Sequence, residues 1–340
     1  MRFGIGWRPQ IGSGIVANLD RIEVVEVLAE ELFHAGAEQK RAMRFLRAQV
    51  PVVLHATSLG LASAERVDRR RLDAVARVID WLEPEFWSEH LAFVRAGGAE
   101  IGHLAAPPRN DATLEGLLCN LAEVRSVAGR LPLLENVATL VDPPLSTYDE
   151  GAWLPRVLDV AGCELLLDLH NLHANATNFG FDAAEVVLAL PQDRIGAVHL
   201  AGGRRIERDL LLDDHLHEVP DPVYELLSLL HCDATVILER DGNYPAFSEL
   251  LCELDRARAV RPDDRRRRPS PLPTPDRRET PTLTGIEPLL ARLYTDDSLR
   301  EQFQREPGHF PRELDSLRGP NLDLAAHSFA RKRAIREAKQ

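Results

Sequence analysis

The sequence predicts an α/β protein, a closed (β/α)8 TIM barrel carrying a small C-terminal helical module. Three observations lead there. Over roughly residues 1–258, eight short apolar runs alternate with longer amphipathic stretches, the pattern of βα units feeding a parallel sheet. The first run opens no glycine-rich phosphate turn. Finally, a Pro/Arg-rich break near residue 260 is followed by renewed helical periodicity.

The expected strands are 3–6, 22–27, 51–55, 85–90, 132–136, 163–168, 195–200 and 234–239. Each is short, apolar and bounded by polar or turn residues, as a strand buried on both faces should be. Between them AEQKRAMRFLRAQ, VDRRRLDAVARVIDWL, DATLEGLLCNLAEVRSVAG, DPVYELLSLL and YPAFSELLCELDRA place apolar residues at helical spacing. Eight such strands within ~250 residues fit a closed barrel. A doubly wound open sheet is the rival, but GIGWRPQIGSG lacks the GxGxxG spacing that its first turn would carry.

Residues 259–283 read as a linker, because RPDDRRRRPSPLPTPDRRETPT holds too few apolar residues to bury a core. Its arginine run could dock an acidic partner, although a solvated tether is the simpler reading. In the remaining 284–340, IEPLLARLYTDDSLREQFQREP and LDLAAHSFARKRAIREA have helical periodicity, with a cap at Thr295-Asp296. So short a module is expected to pack on the barrel or on a partner.

Composition narrows the function classes. An apolar fraction of 44% suffices for a large core. No apolar run approaches the ~18 residues of a membrane span, and MRFGIGWRPQIG lacks a secretory h-region. Cys119, Cys163, Cys232 and Cys252 show no CxxC spacing, so incidental thiols of a reducing compartment are expected, and with them a cytoplasmic protein. The net charge of −12 opposes a sequence-independent grip on nucleic acid.

Six of the eight runs end in a group able to hold a hard or borderline metal ion: His55, His90, Glu135, Asp168, His199 and Glu239. The first two, FGIG and IEVVEV, are read as carrying none. In a parallel barrel the C-terminal ends of the strands converge on one mouth, so residues far apart in sequence can share one site. Taken singly, a histidine there is more often a hydrogen-bonded structural residue, and Asp168 could be a helix N-cap. Six together, with no thiolate among them, suit iron, manganese or zinc. They exceed what one ion needs, and bridging carboxylates use the surplus. DLHNLHANATN adds His170, Asn171 and His173; strand alternation would turn His170 inward, whereas a turn after Asp168 would favour Asn171 or His173. LLDDHLHEV adds Asp213, Asp214, His215 and His217.

GIGWRP, HATSLGLAS, SEHLAF, LLENV, LLDLHNLHANATNFGFD, VHLAGG, DDHLHEV and ERDGNYP together resemble the multinuclear non-haem iron-dependent oxidative enzymes, the family that includes the catalytic subunit of methanobactin biosynthesis. The resemblance covers nearly all of 1–258. It implies a TIM barrel of the xylose isomerase-like type holding two or three irons in mixed ferrous and ferric states. It implies dioxygen as co-substrate and oxidative modification of a residue, typically cysteine, in a ribosomally made precursor peptide. A small partner protein that recruits the peptide is implied as well. Carried over by position, His55, His90, Glu135, Asp168, His199 and Glu239 would hold the central irons, with Glu135, Asp168, His199 and Glu239 at the heart of the chemistry. Asn171, Asp213 and His215 would serve a third ion, with His173 beside them. Arg240 and Asn243 could orient the peptide backbone or support the ligands. The chain departs from the family pattern at Gly203, at DDHLHEV and at Asp168-Leu-His170-Asn171. The alternatives are a barrel hydrolase or isomerase using two zinc or manganese ions on a sugar or phosphodiester, and a non-catalytic metal-binding scaffold.

Overall fold

The computed structural model describes residues 1–262 and 286–337. Most of the expected 259–283 linker therefore lies outside the described residues. Eight parallel strands close a barrel: β1 (Arg2–Gly6), β2 (Val24–Leu28), β3 (Val52–His55), β4 (Trp87–His90), β5 (Leu133–Glu135), β6 (Leu165–Asp168), β7 (Ile195–Leu200) and β8 (Thr235–Leu238). Each pairs with its sequence neighbours, and β8 closes on β1 through Arg2↔Thr235 to Ile5↔Leu238. All eight lie where the apolar runs were read, within two residues at each end.

The described helices are α1 (Gly12–Ala17), α2 (Ala37–Arg47), α3 (Arg69–Leu82), α4 (Asp111–Ala128), α5 (Glu150–Ala161), α6 (Leu169–Phe179), α7 (Ala183–Ala189), α8 (Asp221–Leu227), α9 (Phe247–Ala259), α10 (Ile286–Thr295), α11 (Asp297–Arg305) and α12 (Pro320–Glu337). Many of their starts follow side-chain caps. Asp68, Asn110, Asp149, Asp168, Asp182 and Asp296 each accept a hydrogen bond from a backbone N–H of the first turn. The polar gaps after β5 and β6 hide α5, α6 and α7, which the sequence reading did not assign.

Strand alternation divides the side chains into two sets. One set, including Val25, Val27, Leu54, Leu165, Leu167, Val198 and Leu238, joins the main core with the surrounding helices. The other forms two small clusters, Val24/Val53/Ile237 and Leu133/Leu166/Ala197, both touched by Phe86. These fill the lower barrel interior. The residue two positions further along each of these strands is Glu26, His55, Glu239, Glu135, Asp168 or His199. The polar site is thus the next layer of an otherwise apolar lumen.

After β4 and β7 the chain makes antiparallel hairpins, Phe93–Ala96 with Ala99–Ala105 and Arg204–Arg205 with Leu211–Leu212. A second apolar cluster joins the first hairpin to α10–α12 through Phe93, Ile101, Leu290, Phe303, Leu314 and Leu322. The C-terminal helices therefore pack against the barrel mouth.

Candidate metal centre

β-Sheet register brings the site together. His90 is the direct partner of Glu135, and Asp168 of His199. His55 and Glu239 flank them from β3 and from the residue after β8. Three groups of side chains could hold a metal ion: His55/His90/Glu135, Glu135/Asp168/His199 and Asp168/His215/Glu239. Within each, one ligand atom per residue lies within 4.8 Å of the others. The groups share Glu135 and then Asp168, so they form one chain across the barrel mouth.

His55 and His199 are each oriented by a partner on the other nitrogen, whereas His90 Nδ1 makes only a 3.5 Å approach to Glu89. His55 Nδ1 meets Ser88 Oγ at 2.8 Å, leaving Nε2 3.4 Å from Glu135 Oε2. His90 Nε2 lies 3.0 Å from that same oxygen, while Nδ1 is 3.5 Å from Glu89. Glu89 is itself held by the backbone N–H groups of Leu59 and His90. His199 presents Nδ1 to Glu135 Oε1 at 3.1 Å and to Glu239 Oε2 at 3.2 Å.

The opposite nitrogen of His199 corrects the sequence reading. Its Nε2 is 3.0 Å from Glu26 Oε2, on the second run, which was read as carrying no metal-capable group. Glu26 is 1% exposed. A comparison of run ends passes over Glu26, because it sits in mid-strand. The available signal is the second acid of IEVVEV, which unlike Glu23 lies on the same face as Val24. Arg8 was also missed. It is buried beneath Glu239 and donates from Nη2 to Glu239 Oε1 at 2.9 Å and to Asp241 at 2.6 Å. That bond commits one Glu239 oxygen and leaves the other facing His199 and His215.

Asp168 has two functions. Its Oδ1 caps α6 by accepting from Asn171 N–H at 2.7 Å, so the helix-cap reading holds alongside its membership of the groups. Its Oδ2 lies 4.0 Å from both His199 Nδ1 and His215 Nε2. Asn136, next to Glu135, clasps the backbone of Asp168 from both sides at 2.9 Å. Because α6 starts at Leu169, strand alternation stops there and helical geometry places the side chains of 170–173. His170 is fully buried and meets Asp213 Oδ1 at 2.7 Å. Asn171 donates to Asn136 O, and its Oδ1 has no hydrogen bond. His173 is only partly buried and stands outside the three groups.

Asp213 Oδ1 also lies 2.9 Å from His215 Nε2, and His215 Nδ1 lies 3.2 Å from Glu239. Asp214 and His217 pair with each other at 2.9 Å. Gly203 is packed against His170, since a Cβ there would lie 2.6 Å from His170 Cε1. Two departures from the family pattern therefore meet in space. Arg240 is buried and paired with Glu253 at 2.8 Å, which is not one of the ligand candidates.

The electrostatics are those of a cation site held together by protons. Burial opposes charge on His90, yet Glu135, with Glu89 and Glu239 behind it, raises it to about 9. His199 and His215 are likewise raised well above the usual imidazole value, against burial, by Glu26, Glu135 and Glu239 for the first and Asp213 and Glu239 for the second. Burial favours neutral Glu135, but His90, His199 and His55 hold it down to about 2. Burial together with the charges of Asp213 and Glu135 lifts Asp168 to about 7 against His215 and His199.

These side chains fit a metal. Glu26 Oε1, Glu135 Oε2, Asp168 Oδ2, His170 Nε2, Asn171 Oδ1 and His215 Nε2 are buried without a hydrogen bond. Several lie close to a partner, so the lone pairs converge instead of lining up donor to acceptor. Buried unpaired acids on this scale are expensive unless a cation is shared among them.

Similar proteins agree with the architecture. A UPF0276 protein of Streptomyces avermitilis is 40% identical over 263 residues, covering 74% of this chain but 53% of that protein, so the chain spans about half that relative's length. One from Rhizorhabdus wittichii is 34% identical over 264 residues, covering 75% of this chain and 93% of that protein. Among solved structures, a D-tagatose 3-epimerase-like protein superposes with TM-score 0.53 at 16% identity, over 76% of this chain and 98% of that one. A putative xylose isomerase from Rhodospirillum rubrum gives TM-score 0.50 at 15% identity, over 77% of this chain and 100% of that one. At such identities they show the fold, a xylose isomerase-like TIM barrel. A protein-family model described as RiPP precursor modification enzyme MbnB/TglH/ChrH matches residues 2–261, and the chain belongs to that family.

Proposed function

We propose that this protein is a dioxygen-dependent multinuclear iron enzyme that oxidatively modifies a residue, cysteine above all, of a ribosomally synthesised precursor peptide. The observation that carries the reading is the chain of three His/carboxylate groups linked by Glu135 and Asp168. Carboxylates shared between neighbouring ions are what a polynuclear centre needs, whereas a single ion would leave the surplus acids buried without a cation. His55 and His90 would hold one ion with Glu135. His199 and Asp168 would hold the second, and His215 and Glu239 the third. Asn171 and Asp213 sit beside the third group, His170 meets Asp213, and His173 stands further out. Bound iron would supply Lewis acidity and a redox change near neutral pH.

The protein's own contribution is orientation. Ser88 and Glu26 fix the inward-facing nitrogens of His55 and His199, Arg8 commits one oxygen of Glu239, and the cap to α6 commits one oxygen of Asp168. Membership of the precursor-modifying family supports a peptide substrate, with a small recruiting partner protein expected beside it. Among the described residues no helix is long and apolar enough to cross a membrane.

The test is anaerobic reconstitution of the full chain with ferrous iron, followed by iron analysis and oxygen uptake with a candidate precursor peptide. The expected result is two or three irons per chain and oxygen consumption that depends on peptide, with a mass change in the peptide. Turnover of a sugar or phosphodiester without oxygen would replace this reading with the hydrolase or isomerase alternative, and retention of at most one ion would overturn the polynuclear reading altogether.

A further inference from the structure

Residues 286–337 lie beyond the 2–261 covered by the family, yet their side chains reach two loops of the barrel mouth. At one end Glu287 of α10, 1% exposed, accepts hydrogen bonds from Ser63 Oγ at 2.9 Å and from the Ala64 N–H at 3.0 Å. That loop follows His55. At the other end Lys332 of α12 donates from Nζ to the backbone carbonyl of Asp213 at 3.3 Å. Asp213 lies between His170 and His215.

The helix that delivers this amine is fixed in place. Phe329 packs edge-on against Tyr294, with centroids 5.0 Å apart, and against His103 at 5.2 Å. The stem of Arg333 covers Gly102, where a Cβ would lie 2.6 Å from Arg333 Cδ. The loop it touches needs holding. His215 has φ +56, a left-handed conformation that a residue with a side chain keeps only when its surroundings impose it.

We propose that the appended helices act in cis as a strap across the barrel mouth, and that Lys332 is a positioning residue that fixes the loop bearing Asp213 and His215. Through that loop it sets how tightly the Asp168/His215/Glu239 group holds its ion. The inference rests on the metal reading of the site. A cation at the Asp213 carbonyl draws the loop toward α12 without entering the ligand set. In this way a segment outside the family's shared barrel can act on the site without contributing a ligand.

The test uses the full chain with K332M and K332R, reconstituted anaerobically with 57Fe(II) and read by iron content, binding titration and Mössbauer spectroscopy. Lys332 is partly exposed, so loss of its amine leaves the core intact. The expected outcome is that K332M binds the last equivalent of iron about ten- to a hundredfold more weakly and loses one spectral component. K332R restores both, because its side chain reaches the same carbonyl. Unchanged affinity and spectrum in K332M would overturn the proposal while leaving the metal reading standing. A wild-type chain that takes up no iron would overturn both.

Discussion

Glu135 joins two of the three side-chain groups, and its removal has a calculable effect even before a metal is added. It is 1% exposed and faces His55, His90 and His199 at 3.0–3.4 Å. Those imidazoles hold its carboxyl at about 2 instead of 4.5, against the opposing effect of burial. At ~1.4 kcal/mol per tenfold in proton affinity, that difference is on the order of 3 kcal/mol of native-state stabilisation. Glu135→Gln removes it, and relief of Asp168, which Glu135 helps to keep protonated, offsets part of the loss. Metal-free E135Q should therefore be less stable than wild type by about 2–3 kcal/mol near pH 7, measured by urea unfolding in the presence of a chelator. The sign with pH is fixed by the same shift. A carboxyl with a lowered folded pKa stabilises fully above 4.5, and the effect fades as pH falls toward 2. The gap between the two proteins should accordingly narrow as pH is lowered from about 5 toward about 3. Equal unfolding free energies at neutral pH, or a gap that widens in acid, would refute the electrostatic account of this cluster.

Glu26→Gln should leave the fold intact and weaken iron binding about ten- to a hundredfold, since an amide no longer fixes which nitrogen of His199 faces the site. Competition against a chelator measures it, and unchanged affinity would show that Glu26 is a bystander. Glu287 predicts the opposite pH behaviour from Glu135. Burial raises its carboxyl, outweighing the hydrogen bonds from Ala64 and Ser63, so the folded chain binds more protons than the unfolded one above the ordinary value. Its contribution should favour the folded state most below pH 4.5 and decline as pH rises through the raised value. Thermal unfolding of wild type and E287Q at about pH 5 and about pH 8 should show a smaller loss toward the higher pH in the variant; identical pH dependence would refute this.

The barrel was legible because parallel strands buried on both faces read as unbroken apolar runs, and each such run proved to be a strand. The helices the sequence does not announce include α5, α6 and α7. α6 carries LHNLHANATNF, in which the buried polar residues His170, Asn171 and Asn175 spoil the amphipathic pattern. Function and pattern conflict there, so a helix lined with histidine and asparagine reads as a loop. α5 and α7 follow polar connections and are marked mainly by their Asp149 and Asp182 caps, signals that the sequence reading did not use.

The site was legible for a different reason, and its gaps have the same cause. Most of the six side chains sit where the strand alternation that buries Val53, Leu133, Leu166, Ala197 and Ile237 takes one more step. Comparing strand ends finds them, since the mouth of a barrel is where that step emerges. It cannot find Glu26, whose strand continues past it to Val27 and Leu28 because barrel strands are staggered. Nor can it find Arg8, which lies beyond β1 and reaches back to Glu239. Counting two residues on from each lumen-filling side chain recovers Glu26 from Val24 as readily as His55 from Val53. The layer above an apolar barrel interior is therefore better defined by the face a residue shares than by where its strand stops. By that criterion β1 offers only Gly4 and Gly6, and the Arg8 guanidinium, within 3.2 Å of where a Gly6 Cβ would sit, occupies the room they leave.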